Sequence, residues 1–376
     1  MAAGTLAPPH LGAVAVPQAH RRSTAGVALR LAVYALLAVA VIAPAAYDRD
    51  YASNLTLAPV YAVVGLGLNV LVGYTGQLSL GQWAFVGLGA MTAANVANTG
   101  ISQAEPVHFA VAFLAATVVG AGVALLLGAI ALRITGLYLA LVTLIFGVIV
   151  GDVVLKFPQL NGNDAGVKAN VPSFLLTPFR YYLFCLGILV VVFLLDRQLS
   201  ASKAGRAMLA VKDNERVAQA FGVNVVSLKL LSFAIAGGTA GLAGAMSVFN
   251  SETFSNKNYI GNAYTSHTLL FVVMVVVGGL GKRGGVVLAS IFFSLVDIIT
   301  SYVFDQIGQA DFYQANASYL PGLIGGVLLL QTVIQNPGGL GSAVAPVARW
   351  LAGGKFEVHH GGDGGIATAD GSATRA

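Results

Sequence analysis

"GRAMLAVKDNERVAQAFGVNVVSLK", residues 205–229, carries six charged side chains in twenty-five positions: Arg206, Lys212, Asp213, Glu215, Arg216 and Lys229. The 376-residue chain around it is only 9% charged and 57% hydrophobic, with a mean hydropathy of +0.80. A soluble chain of this length carries about a quarter charged residues, so this one lacks the polar surface to close a water-facing globule. Several apolar runs reach the roughly 20 residues that cross a bilayer as a helix. The chain therefore reads as an all-α polytopic membrane protein, and 205–229 as a polar, helix-forming interruption within it.

Working outward, ten apolar segments can be marked: 27–46, 55–73, 78–97, 107–132, 136–154, 180–195, 230–250, 265–280, 285–304 and 318–335. They define a membrane domain over 27–340, with a polar loop at 196–229. Residues 1–26 are rich in Pro and Ala, and 341–376 end in "GGDGGIATADGSATRA"; both read as disordered tails. The first segment resembles a cleavable signal, but Arg30 lies inside its early part and the run is long, so it is kept as an uncleaved span. The third is the exception to a regular span. Its start, "GYTGQLSLGQW", is rich in Gly and Gln and reads as a broken or re-entrant helix. Many of the 46 glycines fall inside apolar runs, where small residues let helix backbones approach closely. The single cysteine, Cys185, permits no intrachain disulfide.

The charges orient the chain. With the N-terminus in the cytoplasm and ten alternating spans, fifteen of the 20 Lys and Arg fall inside and five outside. That is the expected bias, and it places 205–229 on the cytoplasmic side. The net charge of +5 is thus explained by topology and calls for no nucleic-acid partner; the bilayer is the partner it implies.

Taken as helical over 204–222, the polar stretch holds "DNERVAQAFG", residues 213–222, which reads as a short amphipathic helix. Asp213 is placed as its N-cap and Glu215 in its first turn, where the helix dipole favours negative charge. Val217, Ala220 and Phe221 share one face. Gly222 stands where a C′ glycine ends a helix. Two roles fit such a helix: lying flat on lipid headgroups, or docking in a groove of a partner.

Within the membrane the candidates are few. Gln77, Ser79 and Gln82 lie in the Gly-rich break, where non-helical backbone is tolerated only if buried in protein or lining a wet cavity. Translocation path and tight helix packing both remain open there. Asp297 falls near the middle of 285–304, and an ionisable group at that depth is a functional hypothesis by default; a proton-driven carrier would use it. "GGLGKRGG" is no phosphate loop, because position 276 is Val and Arg283 follows Lys282. His359 and His360 have no further ligands near them in sequence, and no catalytic Ser-His-Asp spacing is recognisable. No catalytic residue, cofactor or bound metal is expected, and the chain reads as a non-enzyme.

"GRAMLAVKDNERVAQAFGVNVVSLKLLSFAIAGGTAGLAGAM" resembles the cytoplasmic loop and following helix of LivM-type permeases of branched-chain amino acid ABC transporters. "GLNVLVGYTGQLSLGQWAFVGLGAM" is similar to that family's N-terminal signature, and "TGLYLALVTLIFG", "NGNDAG", "GGLGKRGGVVLAS" and "NPGGL" follow in order. The resemblance covers about residues 55–340. Gln82 departs from a His found in many relatives, and Lys282, Arg283 and Gly285 depart near the end; urea permeases, and so urea or short amides, share the architecture. The resemblance implies a multi-pass subunit of the inner membrane, working with a second permease subunit, two ATPase subunits and an extracytoplasmic binding protein. It implies that the polar stretch is a coupling helix toward an ATPase, with Gly205, Arg206, Asp213, Glu215, Ala218 and Gly222 as its residues. The rival reading is a self-sufficient secondary transporter using Asp297.

Overall fold

Helix starts follow the chain's prolines and asparagines. Pro106 and Pro178 each open a long helix, where the missing N–H costs nothing, and Asn224 caps another by accepting from the Ser227 N–H at 3.1 Å. The computed structural model describes residues 49–98, 106–131, 134, 136–162, 166–306, 320–335 and 339–342. The expected first span, the 1–26 tail and the tail beyond 342 lie outside the described residues.

In chain order the helices are α1 (Arg49–Leu55), α2 (Leu57–Leu68), α3 (Gln82–Asn98), α4 (Pro106–Ala131), α5 (Leu137–Ile149), α6 (Pro158–Asn161), α7 (Pro178–Ala201), α8 (Lys203–Asp213), α9 (Glu215–Ala220), α10 (Val225–Ser251), α11 (Gly261–Gly278), α12 (Arg283–Gln306) and α13 (Leu320–Gln335). Wider π-turns extend α2 over Asn69–Tyr74 and α5 over Val150–Val154. The described strands, β1 (Val167–Lys168) and β2 (Thr253–Phe254), pair antiparallel. Among the described residues, five continuous helical stretches are long and apolar enough to cross a membrane: Ala52–Tyr74, Pro106–Ala131, Leu137–Val154, Pro178–Ala201 and Val225–Ser251. Nine of the ten expected segments fall on described helices, and the fold is that of an all-α polytopic membrane protein.

α10 is the central helix, packed on α4, α3 and α2. Its glycines make this possible. A Cβ on Gly241 would collide with the Ala116 carbonyl, and one on Gly244 with the Val86 carbonyl. α4 and α5 instead turn large apolar side chains outward, such as Leu114, Leu126, Leu137 and Ile145. Outward apolar faces of this kind suit a lipid surround.

Two boundaries differ from the sequence reading. The third segment becomes helical only at Gln82, because residues 76–81 are non-helical. Gly76, at φ +71°, takes the left-handed turn that stops the preceding helix. Near the other terminus, Gly341 lies against Lys282 and the Gly278 carbonyl, so the chain is packed slightly beyond the expected start of the tail.

Candidate functional site

The broken helix is interior. Gln77, Ser79 and Gln82 are all buried, at 8%, 1% and 1% exposure. Their backbone is satisfied piecemeal: the Gln77 N–H donates to the Leu71 carbonyl (3.1 Å) and the Leu80 N–H to Thr143 Oγ1 (2.8 Å). Their side chains are less well served. Gln82 leaves both Nε2 and Oε1 without a partner, and Gln77 leaves Oε1. A buried amide without a partner costs about 1–3 kcal/mol per group, so packing alone is a poor account of two glutamines here.

Beside the break stands an aromatic wall. Trp83 stacks on His267 (4.2 Å, 9°) and on Tyr259 (5.4 Å, 30°), and its Nε1 donates to the Asn258 carbonyl at 3.1 Å. Burial pushes the Tyr259 phenol up to about 12, a hydrogen bond with Ser247 acting the other way, so it stays protonated at neutral pH.

The polar stretch lies where the π-turn of α2 runs into the break, Lys212 beside Gly73 and Gly76, and here the sequence reading needs correction. It is two helices, not one. Asn214 breaks them at φ −157°, ψ 105° and caps α9 by accepting from the Val217 N–H at 3.2 Å. Asp213 is not the cap; it is the last residue of α8. Both residue types cap well, so propensity alone did not separate neighbours. Glu215 does stand in the first turn, and its carboxylate takes both oxygens to Lys229 Nζ at 2.8 and 2.9 Å. Gly222, at φ +80°, ends α9 as expected. Its N–H donates to the Gln219 carbonyl and the Val223 N–H to the Ala218 carbonyl, the paired bonds of a Schellman ending.

The apolar residues of α9 do not turn inward together. Val217 and Phe221 are exposed, Phe221 at 84%, while Ala218 is 4% exposed and packs on Val211 and Val225 of its own chain. Gly205 is small for an internal reason as well: a Cβ there would collide with the Leu199 carbonyl. Arg206 is exposed, its Nη1 donating to the Ala201 carbonyl at 2.7 Å.

Three groups that sequence reasoning did not single out tie this end together. Lys212 Nζ donates to the Gly73 carbonyl at 2.8 Å, joining α8 to the π-turn above the break. Buried Asp196 accepts from the Tyr74 hydroxyl at 3.0 Å, and Arg283 Nε stands 3.7 Å from the same oxygen. Asn69 Oδ1 accepts from the Gly281 N–H at 2.8 Å. Asp196 lies next to Arg197 in "LLDRQL", which reads as the polar end of a span; its depth and its tyrosine partner, 122 residues away, leave no local signal. Asp297 lies on α12, away from this cluster in sequence, and its side chain is outside the described residues; one turn on, Thr300 donates to the Val296 carbonyl at 2.6 Å.

Comparison with known proteins follows the same lines. Residues 51–332 match the family described as "branched-chain amino acid transport system / permease component". The "High-affinity branched-chain amino acid transport system permease protein LivM" of Salmonella typhimurium is 28% identical over 292 residues, 70% of this chain and 66% of the relative. Its Escherichia coli counterpart has the same figures. A "Probable branched-chain amino acid transport permease protein LivM" of Methanocaldococcus jannaschii is 26% identical over 176 residues, 46% of this chain and 50% of the relative. The matched region thus spans just under two thirds of the first two relatives. No solved structure matches the chain significantly. With three quarters of its length inside the family pattern, this chain belongs to the permease components of branched-chain amino acid transport systems.

Proposed function

We propose that the chain is the membrane-spanning permease subunit of an ATP-driven importer of branched-chain or related amino acids. Its partners are a second permease subunit, two ATPase subunits and an extracytoplasmic binding protein that delivers substrate. It sits in the inner membrane with its N-terminus and the 196–229 loop in the cytoplasm, its permease domain running over 27–340 between two tails. The observation that carries this reading is the Lys212–Gly73 bond, which joins an exposed helix pair to a broken interior helix.

In this reading Val217 and Phe221 meet the ATPase, while Gly205, Ala218 and Gly222 hold the pair's shape from within. Glu215, bound to Lys229, fixes α9 to the start of α10; Arg206 and Asp213 supply exposed charge at the docking face. Motion of the pair reaches residues 76–81 through Lys212. Gln77, Ser79 and Gln82 line the path, and the unpartnered amides of Gln77 and Gln82 offer polar contact to water or substrate during passage.

The test is reconstitution in liposomes. Leucine uptake should require ATP, both permeases, the ATPases and the binding protein. Proton-driven accumulation by the single chain, lost in Asp297→Asn, would overturn this in favour of a carrier. ATP-dependent import of urea but not leucine would keep the mechanism and replace the substrate.

A further inference from the structure

Arg283, the first residue of α12, reaches two acceptors one turn apart on α7, just before that helix gives way to α8. Its Nη2 donates to Ser200 Oγ at 2.7 Å, and its Nε stands 3.7 Å from Asp196 Oδ2. The first is a full hydrogen bond. The second is too long for a charge-assisted one, which runs about 2.7–2.9 Å. Nε and Nη2 form the side of the guanidinium that fits both oxygens of a carboxylate at once. Here that fork is split between a carboxylate and a hydroxyl. Asp196 is 5% exposed, takes the Tyr74 hydroxyl on Oδ2, and keeps Oδ1 buried with no hydrogen-bond partner among the described residues.

We propose that the fork has two positions and that α12 moves between them during transport. In the first it is split across Asp196 and Ser200, as here. In the second it is closed on Asp196, with Nε on Oδ2 and Nη2 on Oδ1. Asp196, Ser200 and Arg283 are then positioning residues that set where α12 stands against α7. Two observations support the second position. The closed fork supplies the donor that Oδ1 lacks, and a buried acceptor left unfilled costs more than an ordinary hydrogen bond gains. Ser200 loses little on release, because its hydroxyl already donates to the Arg197 carbonyl at 3.0 Å. Main chain holds the fork open. A Cβ on Gly285 would collide with the Gly278 carbonyl and with Gly341 Cα, so the first turn of α12 is seated tightly where it stands. Closing needs a shift of about 1 Å, within the roughly 1–2 Å by which packed helices move in switching proteins.

The fork adjoins the helix pair. Asp196 binds Tyr74 of the π-turn, and the carbonyl of neighbouring Gly73 takes Lys212 of α8. Asn69, at the start of the same turn, takes the Gly281 N–H, two residues before Arg283. A step at Arg283 is therefore felt where α8 is anchored.

The experiment is fluorine NMR of the full chain in nanodiscs, with a trifluoromethyl tag on Gly284→Cys in a Cys185→Ser background. Gly284 is exposed, and a Cβ there meets nothing within 4 Å. The tagged chain should show two signals, one for each fork position. Ser200→Ala removes the competing acceptor and should shift their ratio toward the closed position by at least about threefold. Asp196→Asn and Arg283→Lys cannot make the paired fork and should shift it the other way. So should Ser200→Asp, whose added carboxylate holds the split position and leaves buried Asp196 intact should Asp196→Asn fail to fold. A merely structural network would lose stability in each variant without opposing shifts. A single signal throughout, or shifts of the same sign in the two Ser200 variants, would overturn the proposal. This measurement uses the chain alone, so its failure leaves the importer reading standing. In the assembled transporter both Ser200 variants should slow leucine uptake, each trapping one position; full uptake in both would also overturn it.

Discussion

Lys212 and Gly73 are 139 residues apart, yet the lysine ammonium donates to the glycine carbonyl at 2.8 Å. That carbonyl lies in a π-turn, where the widened ladder leaves main-chain oxygens open to an outside donor. The bond is where the exposed helix pair holds the broken interior helix.

Lys212→Met keeps the aliphatic stem and deletes the donor. A hydrogen bond to a charged group is worth about 1.5–3 kcal/mol, and exposure of this lysine puts the effect at the low end. The assembled transporter should keep its ATPase subunits but lose most leucine uptake. Parallel measurement of co-purification and uptake checks this; full uptake would show that the bond carries no motion.

The two faces of α9 should respond differently. Phe221→Asp changes an 84% exposed side chain, so the chain should fold normally and recover less ATPase. Ala218→Arg forces a long cation between Val211 and Val225, an unpaired buried charge costing about 3–5 kcal/mol, and should lower the thermal stability of the chain itself. Thermal melts in detergent alongside co-purification separate the two. Equal stability loss in both would show that Phe221 is packed as tightly as Ala218.

Gly222 sits at φ +80°. Gly222→Ala should cost about 1–2 kcal/mol from the left-handed backbone. Gly222→Pro should cost about 3 kcal/mol or more, because it also deletes the N–H given to Gln219. The ordering wild type, Ala, Pro should appear in the temperature at which the purified chain aggregates.

Gly241→Leu should leave little folded protein, since its Cβ meets main chain of α4, which no rotamer can relieve. Size-exclusion chromatography should show an aggregate, whereas Gly187→Leu, with open space around it, should run as wild type.

Orientation can be read with cysteines at exposed Lys203 and Lys257 in a Cys185→Ser background. An impermeant thiol reagent should label position 257 and not 203 in intact cells. The reverse pattern would invert the topology inferred from the fifteen-to-five charge bias.

Span positions were legible because a 20-residue apolar run has few alternatives in lipid. The break at 76–81 was also visible, since Gly and Gln together weaken a membrane helix. The site was less so. Asn214 took the cap from Asp213 through a one-residue difference that backbone context decides. That Ala218 is the buried residue and Phe221 the exposed one was not legible either, because the pattern of α9 shows a stripe without saying which side meets α10. Asp196, Tyr74 and Arg283 meet only in the folded bundle, and local pattern contains no trace of contacts over 122 residues.

The stacking of Trp83 on Tyr259 and His267 has an optical consequence. The sequence holds two tryptophans, Trp83 and Trp350. Trp350→Phe would leave an emitter whose quenching by the neighbouring imidazole depends on ring contact at 4.2 Å. A chain that parts this stack during turnover would brighten as it did so, giving each cycle a signal that can be timed without any attached dye.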